Sequence, residues 1–73
     1  MIDAKEIAAL FGSLSDWLNT REQIIVAKYY GLGNEVRHTL DQIGKILIPA
    51  LSRERVRQIK VYALRKLNSK KKK

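Results

Sequence analysis

Apolar residues in the first part of the chain recur as Ile7, Leu10, Phe11, Leu14, Trp17 and Leu18. That is the i, i+3, i+4, i+7 stripe of an amphipathic helix. Asp3 with Glu6 three residues on has the spacing of a capping box. A first helix is therefore expected over 4–17, within a segment 1–18, weakened by Gly12 and Ser13. A second helix segment, 19–31, opens at Asn19 with Glu22 in box spacing, and Thr20 with Gln23 repeats the pattern one residue later. Ile24, Ile25, Ala27, Lys28 and Tyr29 carry it to Gly31 and Gly33, which suit a left-handed stop. A mostly polar loop follows to His38.

The third helix begins at Thr39, again with a box partner in Gln42, and buries Leu40, Ile43, Ile46 and Leu47. Pro49 ends it, because the residue before a proline is driven out of the helical region. Ser52 caps the fourth helix, with Leu51 and Val56 in the positions of a hydrophobic staple. Val56, Ile59, Ala63, Leu64 and Leu67 form its core stripe. The opposite side carries Glu54, Gln58, Val61 and Arg65, flanked by Arg55, Arg57 and Tyr62. No strand pattern, repeat or linker precedes Asn68. The expected fold is all-α: a single four-helix domain whose segment 39–68 is a helix-turn-helix, followed by a basic tail, 69–73.

Composition supports one small ordered domain. The chain has 73 residues, 45% of them hydrophobic, and no Cys, so disulfides and thiolate-bound zinc are excluded as staples. No apolar run reaches the ~20 residues of a membrane span, and Asp3, Lys5 and Glu6 stand where a signal peptide needs apolar residues, so a cytoplasmic, membrane-free protein is expected. A lone histidine, His38, argues against a metal site or a catalytic triad. Neither an enzyme nor a cofactor is expected. Trp17, Tyr29 and Tyr30 read as core or interface residues.

Charge changes the picture more. Residues 1–50 carry five Lys/Arg against six Asp/Glu, whereas residues 51–73 carry ten Lys/Arg against Glu54 alone, so the whole +8 excess lies in the last third. Such a segment, without a broad aromatic face, fits nucleic acid better than a membrane. For Lys70 to Lys73 alone, a merely solubilising tail is the plainer reading. The first two turns of the last helix read Arg53-Glu54-Arg55-Val56-Arg57-Gln58. Arg, Glu and Gln are the side chains that read guanine, cytosine and adenine edges in the major groove. A surface helix with Glu and Arg spaced for intrahelical pairs is the alternative.

The runs Leu18-Asn19-Thr20-Arg21-Glu22, Tyr30-Gly31-Leu32, Thr39-Leu40-Asp41-Gln42-Ile43-Gly44, Ser52 through Ile59, and Ala63-Leu64-Arg65-Lys66-Leu67 resemble region 4 of the sigma-70 family, the promoter-specificity subunits of bacterial RNA polymerase. The Arg53 to Leu67 stretch is most similar to the housekeeping type. The resemblance implies a domain that docks on the flap of the polymerase beta subunit and recognises the minus-35 element of double-stranded promoter DNA. By position it implies base contacts from Arg53, Glu54 and Gln58. Backbone contacts are implied for Thr39, Leu40 and Asp41, for Arg55 and Arg57, whose positions in the family lie close to DNA or to activators, and further ones for Arg21 and Lys28. Lys60, Arg65, Lys66 and the lysine tail add phosphate attraction. Phe11, Trp17, Leu18 and Ile25 are the candidates for polymerase contact, with core packing as the alternative for each.

Two features depart from the family pattern. Lys45 to Ser52 places eight residues before the Arg-Glu-Arg run where the family has about six, and Lys60 stands where an acidic residue is usual. Seventy-three residues leave no room for the part of a sigma factor that grips the main body of polymerase, so the chain reads either as a domain of a longer factor or as a free-standing protein. A rival reading is a modulator that binds polymerase through the sigma-like fold with little sequence-specific DNA binding. A dimeric helix-turn-helix regulator would need a palindromic site; without an extra apolar helix for a seam, a monomer is expected.

Overall fold

The computed structural model describes residues 3–33 and 36–71. Among the described residues there are five α-helices and one 3₁₀ turn: α1 (Ala4–Ala9), the 3₁₀ turn (Phe11–Ser13), α2 (Leu14–Trp17), α3 (Thr20–Tyr30), α4 (Leu40–Ile46) and α5 (Arg53–Lys71). No strand occurs among the described residues. Met1 and Ile2 of the expected first segment, and Lys72 and Lys73 of the tail, lie outside them, as do the side chains of Lys70 and Lys71.

Helix starts follow from local chemistry. Asp3 with Glu6, Asn19 with Glu22, and Thr39 with Gln42 each form the reciprocal pair of a capping box. At α3 the choice between two registers falls on Asn19, and the Gln23 amide instead donates to the Leu18 carbonyl at 3.0 Å. The Ser52 hydroxyl accepts from the Arg55 N–H at 3.1 Å and opens α5. Gly31 closes α3 in the left-handed conformation, φ 66°, which glycine adopts without a Cβ penalty.

The continuous helix expected over 4–17 is a correction. It breaks at Leu10 into a 3₁₀ turn through Gly12 and Ser13, both weak helix formers, before resuming at Leu14. The break changes the angular progression of the apolar stripe. Ile7, Leu14 and Leu18 remain buried, but Phe11 is turned outward and 45% exposed.

Two apolar clusters form the interior. One joins Ile7, Leu14 and Leu18 to Val26, Leu32, Ala63, Leu64 and Leu67, with Leu10, Trp17 and Tyr30 packed against it. The other joins Ile25, Ile43, Val56 and Ile59, flanked by Tyr29, Leu40, Leu47 and Leu51. α5 serves both, its N-terminal half resting on α4 and its C-terminal half on α1–α3. Its expected stripe, Val56, Ile59, Ala63, Leu64 and Leu67, is buried in full. Ile46 departs from expectation: at the last position of α4 it is 47% exposed.

The connection from α4 to α5, residues 47–52, contains a cis Ile48–Pro49 bond and leads back under α4. The Leu51 N–H donates to the Gly44 carbonyl at 2.9 Å. This contact passes so close that a Cβ on Gly44 would overlap the Leu51 carbonyl oxygen. Glycine at 44 is thus what lets the long turn lie against α4.

A tie between distant segments holds α3 to α5. Glu22, only 7% exposed, accepts from the Asn19 N–H and from Lys66 Nζ at 3.0 and 2.9 Å. Lys60 Nζ lies 4.4 Å from the centre of the Tyr29 ring.

Candidate nucleic-acid interface

Burial of one side of α5 leaves the other side free, and the helical repeat decides which residues it presents. Glu54, Gln58 and Arg65 are exposed along it, with Val61 half-buried between them, and Arg53, Arg55 and Arg57 exposed beside them. In the first two turns these side chains form a network. Arg57 Nε donates to Glu54 Oε1 at 3.0 Å and Arg57 Nη2 to Glu54 Oε2 at 2.5 Å. Gln58 Nε2 donates to Glu54 Oε2, and Arg55 Nη1 to Gln58 Oε1, each at 3.5 Å. The intrahelical pairing that the spacing allowed is therefore present, on the very side chains suited to base edges. The hydrogen bond from Arg57 holds the Glu54 carboxyl below its ordinary pKa against the opposing effect of desolvation, aided by the Arg57 charge, Gln58 and Arg53. The same bond raises Arg57.

Beside the start of α5, Arg53 shares an open hollow of about 600 Å³ with Thr39, Leu40 and Asp41, the residues opening α4. The structure thus brings together two groups at least 12 residues apart, and adds Arg37 and His38, which the sequence reading did not place at an interface. The His38 N–H donates to the Lys28 carbonyl at 2.8 Å and ties this loop to α3. Thr39 and Asp41 are exposed; Leu40 is half-buried against the second cluster. Asp41 pairs with Lys45 at 3.1 Å across one turn.

Other expected backbone contacts are placed differently. Arg21 and Arg55 line a smaller hollow with Tyr62, between α3 and α5. Arg65 is exposed. Lys60 is half-buried against Tyr29, and Lys66, 44% exposed, is paired with the buried carboxylate of Glu22. Nothing beyond the i, i+3 pattern of the capping box signals that tie, because its partners lie 44 residues apart.

The candidates for polymerase contact divide. Phe11 is exposed, Trp17 is half-buried against the first cluster, and Leu18 and Ile25 are 4% and 0% exposed. Leu18 and Ile25 are corrected to core residues, since the close packing of α3 on α2 and on α4 with α5 leaves them no free surface. Phe11 instead joins Ile24, Ile46, Leu47 and Ile48 around an open apolar groove of about 830 Å³, with Arg21 and Lys28 at its rim. Ile48 is 96% exposed. An aliphatic residue beside Pro49, in a connection about two residues longer than the family pattern, was the available signal for this wall. Among the described residues no group of acidic residues and His is arranged to hold a metal ion, and no helix is long and apolar enough to cross a membrane.

Residues 16–69 match the family described as Sigma-70, region 4. A probable RNA polymerase sigma-C factor of Synechocystis sp. is 52% identical over 50 residues, 68% of this chain and 12% of that protein. The chloroplastic RNA polymerase sigma factor sigD of Arabidopsis thaliana is 45% identical over 64 residues, 88% of this chain and 14% of that protein. The RNA polymerase sigma factor RpoD of Helicobacter pylori is 41% identical over 66 residues, 89% of this chain and 10% of that protein. The chain therefore spans between 10% and 14% of the length of these curated relatives. No solved structure matches it. The matched stretch runs from the end of α2 to near the end of α5 and includes the whole helix-turn-helix, so the chain belongs to the sigma-70 region 4 family.

Proposed function

We propose that this domain recognises the minus-35 element of double-stranded promoter DNA and thereby directs transcription initiation by bacterial RNA polymerase. It acts without cofactor or catalysis, in the cytoplasm, and as a monomer outside the polymerase complex. The observation that carries this reading is the exposed start of α5, where Arg53, Glu54 and Gln58 stand on a helix whose opposite side is fully buried. A helix held from behind presents its first turns to a groove as a rigid edge. Its donors and acceptors suit base recognition: Arg for guanine, Gln for adenine, Glu for the cytosine amino group. Arg37, Thr39 and Arg53 around one hollow supply groups for the adjoining phosphates. The net +8 charge adds attraction that weakens with salt.

The test is a titration against a minus-35 consensus duplex and a scrambled duplex of equal length, at two salt concentrations. Tighter binding to the consensus that persists at the higher salt is the expected result. Equal binding to both, collapsing together as salt rises, refutes direct readout.

A second reading, a polymerase-binding modulator with little sequence preference, is favoured by the open groove with exposed Phe11, Ile46 and Ile48. An apolar floor with a basic rim suits an apolar segment of the beta-subunit flap. This reading predicts capture of polymerase core that Phe11→Ser abolishes, with no difference between the two duplexes.

A further inference from the structure

By family position Arg57 lies close to DNA or to activators, and a backbone contact is expected of it, yet its guanidinium is turned along α5 onto Glu54. Both of its short hydrogen bonds go to that carboxylate, one to each oxygen. We infer that Arg57 is a positioning residue, which fixes the orientation of the Glu54 carboxylate for base readout and so sets sequence preference through Glu54. This rests on the reading of Glu54 as a base contact.

The argument is geometric. A fork on both oxygens fixes the rotation of the carboxylate about its last bond, where a single donor would leave it free. Oε1 carries only the Arg57 Nε bond and keeps a further lone pair, so the carboxylate still accepts from a base amino group while it is held. Gln58 lies beside the pair, with long contacts of 3.5 Å to Glu54 through Nε2 and from Arg55 through Oε1. Glu54 is thus oriented before DNA arrives, and less side-chain freedom is lost on binding. Stability does not explain the pair, because side chains 50% and 60% exposed gain little from an ion pair in water. A carboxylate facing a polyanion also benefits from a fixed cation at its back, which offsets its repulsion from neighbouring phosphates.

The experiment measures binding of the full chain to the minus-35 duplex and to its single-base-pair variants, at two salt concentrations. The proteins are the wild type, Glu54→Ala, Arg57→Lys, Arg57→Gln and the double variant Glu54→Ala with Arg57→Lys, each checked for unchanged helicity. Glu54→Ala identifies the base pair that Glu54 reads, by an expected loss of about tenfold in preference there. Arg57→Lys keeps a cation for any phosphate but lacks the fork, and is expected to lose about fivefold at that same base pair with its salt slope unchanged. The double variant is expected to lose no more than Glu54→Ala alone. Unchanged preference in Arg57→Lys overturns the proposal. So does equal weakening of all duplexes by Arg57→Gln with a salt slope lower by ~0.9, the signature of one lost phosphate contact. In both cases the Glu54 reading stands. If Glu54→Ala alters no base preference, the base-contact reading falls and the positioning role falls with it.

Discussion

Replacing Gly44 with Ala tests how the long turn is seated. The added methyl would overlap the Leu51 carbonyl oxygen and lie 3.2 Å from the Leu51 carbonyl carbon and 3.4 Å from Val56 Cγ2. What it meets is backbone, and that backbone is pinned: the Leu51 N–H bonds to the Gly44 carbonyl at 2.9 Å, and one residue later Ser52 opens α5. Relief requires the turn to lift from α4. Overpacking of this kind costs about 1–3 kcal/mol, and loss of the Leu51 bond about 1 more. The greater helix preference of Ala over Gly returns ~1 kcal/mol. The balance is a loss of about 1–3 kcal/mol, equivalent for a domain of this size to a fall in Tm of about 4–8 °C per kcal/mol. Thermal and urea unfolding followed by circular dichroism measure it. Gly12→Ala is the control, because nothing lies within 4 Å of a Cβ there, and it should be neutral or stabilising by up to ~1 kcal/mol. Equal stability of Gly44→Ala and the wild type, or equal shifts in the two variants, refutes the packing argument.

Further consequences are as direct. Ile25→Ala, at a fully buried site in the second cluster, should lower stability by about 2–5 kcal/mol in urea unfolding, where a surface contact residue would leave it unchanged. Glu22→Ala removes the carboxylate that accepts from the Asn19 N–H and the partner of Lys66; with Lys66 44% exposed the expected loss is about 1–3 kcal/mol, and a melt matching the wild type would contradict the tie. Glu54 has a depressed folded-state pKa, so its exposed pairing with Arg57 adds only a small stabilisation, present above the unfolded value of about 4.3 and lost as pH falls through the folded value. In Arg57→Gln the Glu54 carboxyl should titrate higher, towards the ordinary range, by carbon-detected NMR; an unmoved titration would deny the contact.

Much of the secondary structure was legible because its causes lie within four residues. The boxes at Asp3, Asn19 and Thr39, the cap at Ser52 and the glycine stop at Gly31 are backbone-to-side-chain bonds between near neighbours, and near neighbours are what a sequence displays. The core stripe of α5 was equally legible, since a period of 3.6 residues maps positions to one side without any partner being known. The network among Glu54, Arg55, Arg57 and Gln58 was foreshadowed by its spacing, although not the partner each side chain takes.

The rest depended on which elements meet. Phe11 follows the first stripe in sequence, but the break at Leu10 turns it outward. Leu18 and Ile25 have the same apolar character as Phe11, and only the closing of α2 on α3, and of α3 on α4 and α5, makes them interior. Ile46 and Ile48 become a groove wall because the turn is held against Gly44, a close approach that no pattern of hydrophobicity encodes. Glu22 reads from the sequence as a capping residue alone, and it becomes a buried partner of Lys66 only when α5 crosses α3. Sequence by itself determined the helix starts, the buried side of α5 and the family, because these rest on short-range bonds, periodicity and matched residues. Tertiary structure decided where the first helix breaks, which apolar residues are surface and that Lys66 pairs with Glu22, because burial and pairing of this kind depend on contacts between residues far apart along the chain.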